Sequence, residues 1–138
     1  MNSRLIASCG INCGVCLGHL RGKNRCPGCR DINKNNPVTR YGCIIKNCSE
    51  LKRHKWKFCS DKCDKYPCRR LGDLDKRYRT KYGMSVIGNL ENIRRYGIRR
   101  FVRNEKARWR CRKCGGTICV HRDFCLICGE KSRDKLKE

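Results

Sequence analysis

The chain has 138 residues and a formal net charge of +23, and 15 of its residues are cysteines. This length corresponds to one domain or two small ones. The hydrophobic fraction is only 38% with the cysteines included, so a large apolar core is excluded and disulfides or metal ions are needed to stabilise the fold. No stretch has the apolar length of a signal peptide or a membrane helix. We therefore expect a cytoplasmic protein without membrane association, in which the thiols bind metal and do not form disulfides.

The charge also restricts the class of partner. Ligating thiols are deprotonated, so a zinc ion held by four cysteines carries a net charge of −2. Three such sites would lower the formal charge from +23 to +17. That charge favours a polyanionic partner, and in the cytoplasm nucleic acid is the commonest one. The alternative is a basic surface that serves solubility alone.

Residues 1–68 are expected to form a cysteine-rich metal-binding module. Leu5, Ile6 and Ala7 resemble a first strand, and residues 33–37 resemble a turn. Glycine, asparagine and proline interrupt the rest of the module, which predicts metal-binding knuckles, loops and short helices.

Ten cysteines of this module are candidate metal ligands. One grouping places Cys13, Cys16, Cys26 and Cys29 in a first site, Cys43, Cys48, Cys59 and Cys63 in a second, and leaves Cys9 and Cys68 over. A cross-braced pairing, or Cys9 in place of another ligand, is equally open, and His19 and His54 are available as substitutes. The Cys9-x-x-x-Cys13-x-x-Cys16 spacing is that of radical-SAM enzymes, but the chain is too short for their barrel. A non-catalytic Fe–S cluster remains an alternative to zinc, because cysteine spacing alone does not separate the two metals.

Residues 69–108 contain no cysteine and predict three helices. Leu71, Leu74 and Tyr78 share one helical face, and Gly83 can end that helix. A second helix is expected to begin after Ser85 and to stop at Gly97. A third follows, with its apolar side chains inward at Ile98, Phe101 and Val102.

The basic residues of this segment fall largely outside the apolar stripes and predict a surface that faces an anion. Spacings of four, as in Arg95/Arg99 and Arg99/Arg103, place side chains on one face of a helix. Trp56 lies among basic residues and is the best candidate for stacking on a base. The predicted nucleic-acid contacts are Lys55, Trp56, Arg95, Arg99, Arg103, Lys106 and Arg110.

Residues 109–138 are expected to form a zinc ribbon followed by a charged, frayed tail. Cys-x-x-Cys-Gly occurs twice, with its cysteines at Cys111, Cys114, Cys125 and Cys128. Two knuckles at the ends of a hairpin complete a tetrahedral S₄ site, which zinc prefers, and a rubredoxin-like iron site is the alternative. Cys119 and His121 lie between the knuckles and are interpreted as core residues or as neighbours of the ligands.

These motifs together resemble a family of small cysteine-rich proteins from archaea and anaerobic bacteria, known only as a domain of unknown function. The shared motifs are Cys9-Gly10-x-x-Cys13-x-x-Cys16, Cys26-x-Gly28-Cys29, Cys43-x-Ile45-x-x-Cys48, Tyr66-Pro67-Cys68, Ser85-Val86-Ile87 and Trp109 before Cys111. The resemblance covers nearly the whole chain. It implies that Cys9 and Cys68 belong to the functional set, and it favours a role for Cys119 and His121. The Cys59-x-x-x-Cys63 spacing departs from a two-residue knuckle.

We therefore expect a small α+β metal-stabilised protein with an irregular zinc module, short basic helices and a C-terminal zinc ribbon, holding three zinc ions. No catalytic constellation is present in the sequence, which predicts a non-enzymatic protein. The expected partner is nucleic acid, with RNA or the ribosome favoured. The alternatives are an adaptor for an acidic protein partner, or an Fe–S or thiol redox protein that uses the N-terminal cysteines.

Overall fold

The structure is a computed structural model that describes residues 1–31, 43–122 and 124–131. Its regular elements are two short 3₁₀ helices, Ser3–Leu5 and Cys13–Val15, followed by α1 (Leu17–Leu20), α2 (Ser49–His54), α3 (Arg69–Tyr82), α4 (Val86–Tyr96) and α5 (Ile98–Arg108). Within the described ranges, strand pairing is limited to isolated antiparallel bridges. The protein is therefore small, cysteine-rich and helix-dominated, where the sequence favoured an α+β fold.

Helix α3 follows the predicted pattern of buried side chains. Leu71, Leu74 and Tyr78 are all buried on its inner face. Gly83 ends the helix at a φ of +67°, a left-handed conformation that glycine adopts without steric penalty. The N–H of Met84 then donates to the Tyr78 carbonyl. The predicted helix and its end at Gly83 are confirmed.

Helices α4 and α5 are joined by a single residue and pack against each other. The Ser85 hydroxyl accepts a hydrogen bond from the Gly88 N–H at 2.9 Å and so caps α4, as predicted. Gly97 separates the two helices with a φ of +86° and a ψ of 158°. This turn places Leu90 and Phe101 together in the core.

One hydrophobic core joins the helices to both ends of the described chain. Its fully buried members include Ile6, Val15, Leu71, Met84, Val86, Leu90 and Val120. The two ends also meet through backbone groups, because the Val120 N–H donates to the Val15 carbonyl at 2.8 Å. Segments that the sequence separates into three parts therefore share one core.

A buried carboxylate links α5 to the N-terminal loop. The side-chain N–H groups of Asn12 and Trp109 both donate to Oε1 of Glu105 at 3.4 Å. Asn12 in turn accepts the Gly14 N–H at 2.9 Å. Because a buried charge is stable only when it is paired, these donors explain why Glu105 lies in the core.

Other local predictions have mixed outcomes. The expected first strand is absent from the described residues: Leu5 ends a 3₁₀ helix, and Ile6 makes only an isolated bridge with Asn12. The predicted turn at residues 33–37 and nearly all of the tail lie outside the described residues. None of the described helices is long and apolar enough to cross a membrane.

Candidate metal centre and basic surface

Four cysteine side chains near the C-terminus converge on one point. The ligand atoms of Cys111, Cys114, Cys125 and Cys128 all lie within 4.8 Å of one another. The Sγ–Sγ distances are 3.6 Å for Cys111–Cys128 and 3.6 Å for Cys114–Cys125. Zn–S bonds of about 2.3 Å in a tetrahedron would separate sulfur atoms by about 3.8 Å, whereas a disulfide bond measures about 2.05 Å. The group could hold a metal ion and is consistent with zinc.

The backbone around the two Cys-x-x-Cys-Gly motifs has the same form twice. Gly115 and Gly129 adopt φ values of +75° and +78°. Their N–H groups donate at 2.9 Å to the carbonyls of Cys111 and Cys125. Each glycine therefore closes a tight turn that presents two sulfur atoms on one side, and only glycine adopts this φ without strain. Isolated bridges at Arg110–Thr117, Ile118–Cys125 and Phe124–Lys131 connect the two turns.

The pKa values of Cys111 and Cys114 are shifted in opposite directions. The backbone N–H of Cys114 is the main group that lowers the pKa of Cys111, to about 7, against the opposing effect of burial. The N–H of Gly116 lowers the pKa of Cys114, but loss of hydration and hydrogen bonds with the three neighbouring thiols outweigh it and raise that pKa to about 12. A bound metal ion replaces these protons, because ligating cysteines are thiolates.

The first predicted N-terminal group is brought together as two pairs. The Cys29 N–H points at Sγ of Cys13 at 3.5 Å, and the hydrogen bond between these thiols raises the pKa of Cys13 well above its usual value. A methyl group at Gly18 would lie 3.5 Å from the Cys26 Cβ and 3.8 Å from the Cys16 Sγ. Cys16 and Cys26 thus both lie beside Gly18.

For the second predicted group, the thiols that act on Cys59 include two predicted members and two others. Burial, and then the negative potential of neighbouring thiols, raise the pKa of Cys59 to about 12. The neighbours that act on Cys59 are Cys9, Cys68, Cys48 and Cys63. Cys43 instead lines a cleft together with Cys9 and Cys29. Among the described residues, the C-terminal group alone brings three or more ligand atoms within 4.8 Å of one another.

The remaining candidate ligands have other contacts. His121 accepts the Leu17 N–H on Nδ1 at 3.2 Å, and its Nε2 lies 3.3 Å from the Tyr78 hydroxyl. Cys119 is fully buried and lies outside the four-thiol group. His19 Nδ1 lies 2.8 Å from the Cys26 carbonyl oxygen. Cys119 therefore matches the interpretation as a core residue, whereas His121 is half-buried and packs edge-on against the Tyr78 and Tyr82 rings.

The predicted nucleic-acid contacts fall in two regions. Lys55 and Trp56 follow α2, and the His54 ring stacks on Trp56 with centroids 4.3 Å apart. That stacking covers one face of the indole. The other predicted residues lie on α4, α5 and the segment that follows: Arg95, Arg99, Arg103, Lys106 and Arg110, all exposed.

The break at Gly97 changes how the basic residues are arranged. Arg95 lies in the last turn of α4 and Arg99 in the first turn of α5, so the two do not share one continuous helical face as their spacing predicts. Within α5, Arg99, Arg103 and Lys106 are three and four residues apart and form one outward stripe. No described acidic residue makes an ion pair with these three side chains.

Tyr96 is an exposed aromatic residue within this basic surface. It is 47% exposed, and the guanidinium groups of Arg95 and Arg100 lie 5.3 Å and 5.1 Å from its ring centroid. Sequence reasoning favoured Trp56 for stacking and overlooked Tyr96. A tyrosine flanked by arginines directly before a helix-ending glycine was the available signal.

Comparison with known proteins adds no identification: no protein-family model, no curated protein and no solved structure matches the chain.

Proposed function

We propose that this protein is a non-enzymatic, zinc-stabilised nucleic-acid-binding protein, with RNA favoured, in which residues 109–131 form a zinc ribbon. The observation that supports this proposal is Tyr96 between Arg95 and Arg100, next to the α5 stripe of Arg99 and Arg103. An exposed aromatic ring beside basic side chains can stack on an unpaired base while the cations contact phosphates.

The charge of the α5 stripe supports binding to the phosphate backbone. Like charges four residues apart repel one another and destabilise a helix. Arg99 and Arg103 are separated by one turn, about 6 Å along the helix axis. A polyanion that spans this distance would neutralise both charges and remove the repulsion. The broad distribution of basic residues favours backbone contacts over recognition of a base sequence.

Fluorescence anisotropy with a labelled single-stranded RNA tests the electrostatic part of the proposal. We expect the double substitution Arg99→Gln/Arg103→Gln to weaken binding at low salt by about tenfold or more. It should also reduce the slope of log K against log salt by about 1.4, because two phosphate contacts are lost. The matched control is Lys62→Gln/Lys65→Gln, which removes the same charge from two exposed side chains.

A separate pair of variants tests the stacking role. Tyr96→Ala should weaken RNA binding by about five- to 150-fold, the range of one lost base stack, without changing the salt slope. Tyr96→Phe keeps the ring and should bind as the native protein does. No RNA binding at low salt, or equal losses in the arginine variant and the lysine control, would contradict the proposal. A partner that stays bound after nuclease treatment would favour an acidic protein instead.

A further inference from the structure

A cleft of about 840 Å³ lies on the surface away from the α4–α5 junction. One wall is the loop from Ala7 to Ile11, another is the turn around Lys46, and a third is the face of α3 between Arg70 and Tyr82. None of its lining residues belongs to α4 or α5. The cleft is therefore separate from the surface proposed above for RNA.

Apart from the thiols of Cys9, Cys29 and Cys43, the charged side chains among the described lining residues give the cleft a positive charge. Four of them are cations, Arg30, Lys46, Arg70 and Arg77, and Asp73 is the one acidic residue among them. Concave walls of one sign concentrate the field, so this cleft attracts small anions more strongly than a flat surface of equal charge.

Lys46 is the clearest sign that a ligand is needed. Its ammonium nitrogen is shielded from solvent and has no hydrogen-bond partner in the described part of the chain. A buried ammonium is unfavourable unless an anion pairs with it, and three N–H donors are available here. An anion in the cleft would supply the partner that the protein does not.

Arg30 is held in place before any ligand binds. Its Nε donates to the Ile6 carbonyl at 2.6 Å, and one Nη donates to the Lys57 carbonyl at 2.7 Å. The guanidinium also lies 4.9 Å from the centroid of the Phe58 ring. A cation fixed in this way loses little conformational entropy on binding.

Helix α3 adds two cations and an apolar floor. Arg70 and Arg77 are two turns apart on the same face, about 10 Å along the helix axis. Leu74 lies between them, and Tyr82 lies one turn beyond Arg77. The wall therefore offers separated positive charges with an apolar and aromatic surface beside them.

We propose that this cleft binds a small polyphosphate-bearing ligand of the nucleoside triphosphate class. The phosphates pair with Lys46, Arg30 and Arg77, and the nucleoside packs toward Leu74 and Tyr82. A single carboxylate or monophosphate would leave several of the four cations unpaired, whereas a polyphosphate carries enough charge and length to reach them.

Isothermal titration of the metal-replete protein with ATP, inorganic tripolyphosphate and adenosine tests the proposal. ATP and tripolyphosphate should bind saturably, and adenosine should not. Arg77→Gln, an exposed substitution, should raise the dissociation constant for ATP by about tenfold, the effect of one lost charged contact. The matched control is Lys23→Gln, an exposed cation outside the cleft and outside the predicted RNA contacts, which should change it by less than about twofold.

Lys46→Met provides a signature that a purely structural lysine would not give. It removes a buried unpaired charge, so the ligand-free variant should melt at the same or a higher temperature than the native protein. The same variant should lose ATP binding by at least about tenfold. A lower melting temperature of the ligand-free variant would overturn the role assigned to Lys46.

Two further outcomes would overturn the proposal. The first is no saturable binding of ATP or tripolyphosphate. The second is an equal loss of ATP affinity in Arg77→Gln and Lys23→Gln, which would indicate attraction to total charge alone. Displacement of ATP by a single-stranded RNA that lacks a terminal phosphate would also count against it. Since the ATP and RNA measurements use different variants, failure of one proposal leaves the other tested independently.

Discussion

Gly10 lies where the cysteine-rich loop touches α4. Its φ is +93°, and a methyl group there would lie 2.5 Å from the Val86 carbonyl oxygen and 2.9 Å from a Leu90 side-chain carbon. Its own carbonyl accepts the side-chain N–H of Asn89 at 2.9 Å. The glycine after Cys9 thus lets the loop approach the helix backbone directly.

Gly10→Ala should lower the free energy of unfolding by about 3 kcal/mol, because the new methyl group meets both an unfavourable φ and a helix carbonyl that cannot move away cheaply. Denaturant unfolding followed by circular dichroism measures the change. Gly22→Ala is the matched control, because nothing lies within 4 Å of a methyl group at Gly22. Equal unfolding free energies for the two variants would show that the close approach at Gly10 does not affect stability.

At the scale of elements, Asp75 joins α3 to the start of α4. Its Oδ1 accepts the Ser85 hydroxyl at 2.8 Å and the Ile87 N–H at 3.0 Å. Its Oδ2 accepts the Arg79 Nε–H at 2.7 Å. Burial raises the pKa of Asp75, but these three hydrogen bonds outweigh burial and hold the pKa below its ordinary value. A single carboxylate therefore fixes the angle between two helices.

A lowered pKa in the folded state gives a defined pH dependence. The carboxylate of Asp75 contributes stability that is present above its ordinary pKa, near 4, and that is lost as the pH falls through the lower folded value. Asp75→Asn should therefore unfold more easily than the native protein by about 2 kcal/mol at neutral pH. That difference should shrink as the pH falls below about 4.

Unfolding free energies of the native protein and Asp75→Asn, measured across this pH range, check the expectation. Asp64→Asn is the control, because Asp64 is exposed and should give a small difference at every pH. A difference for Asp75→Asn that stays constant into acid would mean that the carboxylate charge is not what stabilises the helix junction.

The helices could be predicted from sequence because their signals are local. The stripe of Leu71, Leu74 and Tyr78, the cap at Ser85 and the stop at Gly97 each depend on neighbours within one or two turns. The C-terminal thiol group was predictable for the same reason, since each half is a tight turn closed by glycine. Asp75 was not predictable, because its partners come from the next helix.

The grouping of the N-terminal cysteines could not be predicted from spacing. The pKa of Cys59 is raised by Cys9, which lies far earlier in the sequence, and by Cys68, which follows it. The nearby Cys63 acts in the same direction. Which sulfur atoms meet depends on how the loop packs against the helices, and local sequence does not encode that packing. The resemblance to cysteine-rich prokaryotic proteins had pointed to Cys9 and Cys68. The assignment of these two cysteines to a metal site stays a prediction, and so does the resemblance.

For the whole molecule, the C-terminal thiol group is joined to the core through two of its four cysteines. Cys111 and Cys125 are 1% and 0% exposed and belong to the same hydrophobic cluster as Trp109. Structural zinc contributes an apparent binding free energy of about 10–16 kcal/mol at neutral pH, which is comparable to or larger than the stability of a typical small domain.

Chelation that strips the bound metal should therefore unfold the protein cooperatively, with loss of helical circular dichroism. Metal content, measured by elemental analysis, should fall in Cys125→Ser and stay at the native value in Cys119→Ser, whose thiol is buried but outside the group. A native circular dichroism spectrum and a cooperative melt after verified metal removal would show that the apolar core alone is sufficient.

The contact between the two ends of the described chain sets an order of assembly. The sulfur atoms of Cys111 and Cys128 are 17 residues apart, whereas the Leu17 N–H and its acceptor His121 are 104 residues apart. Closing the longer loop costs about 1.6 kcal/mol more in chain entropy. We therefore expect the local turns and helices to form before the contact between the two ends. During synthesis the partners of Val15 and Leu17, Val120 and His121, emerge from the ribosome about a hundred residues after them. The N-terminal cysteine loop therefore completes its packing only after the chain has been made as far as His121, and its thiols are less shielded from solvent until then.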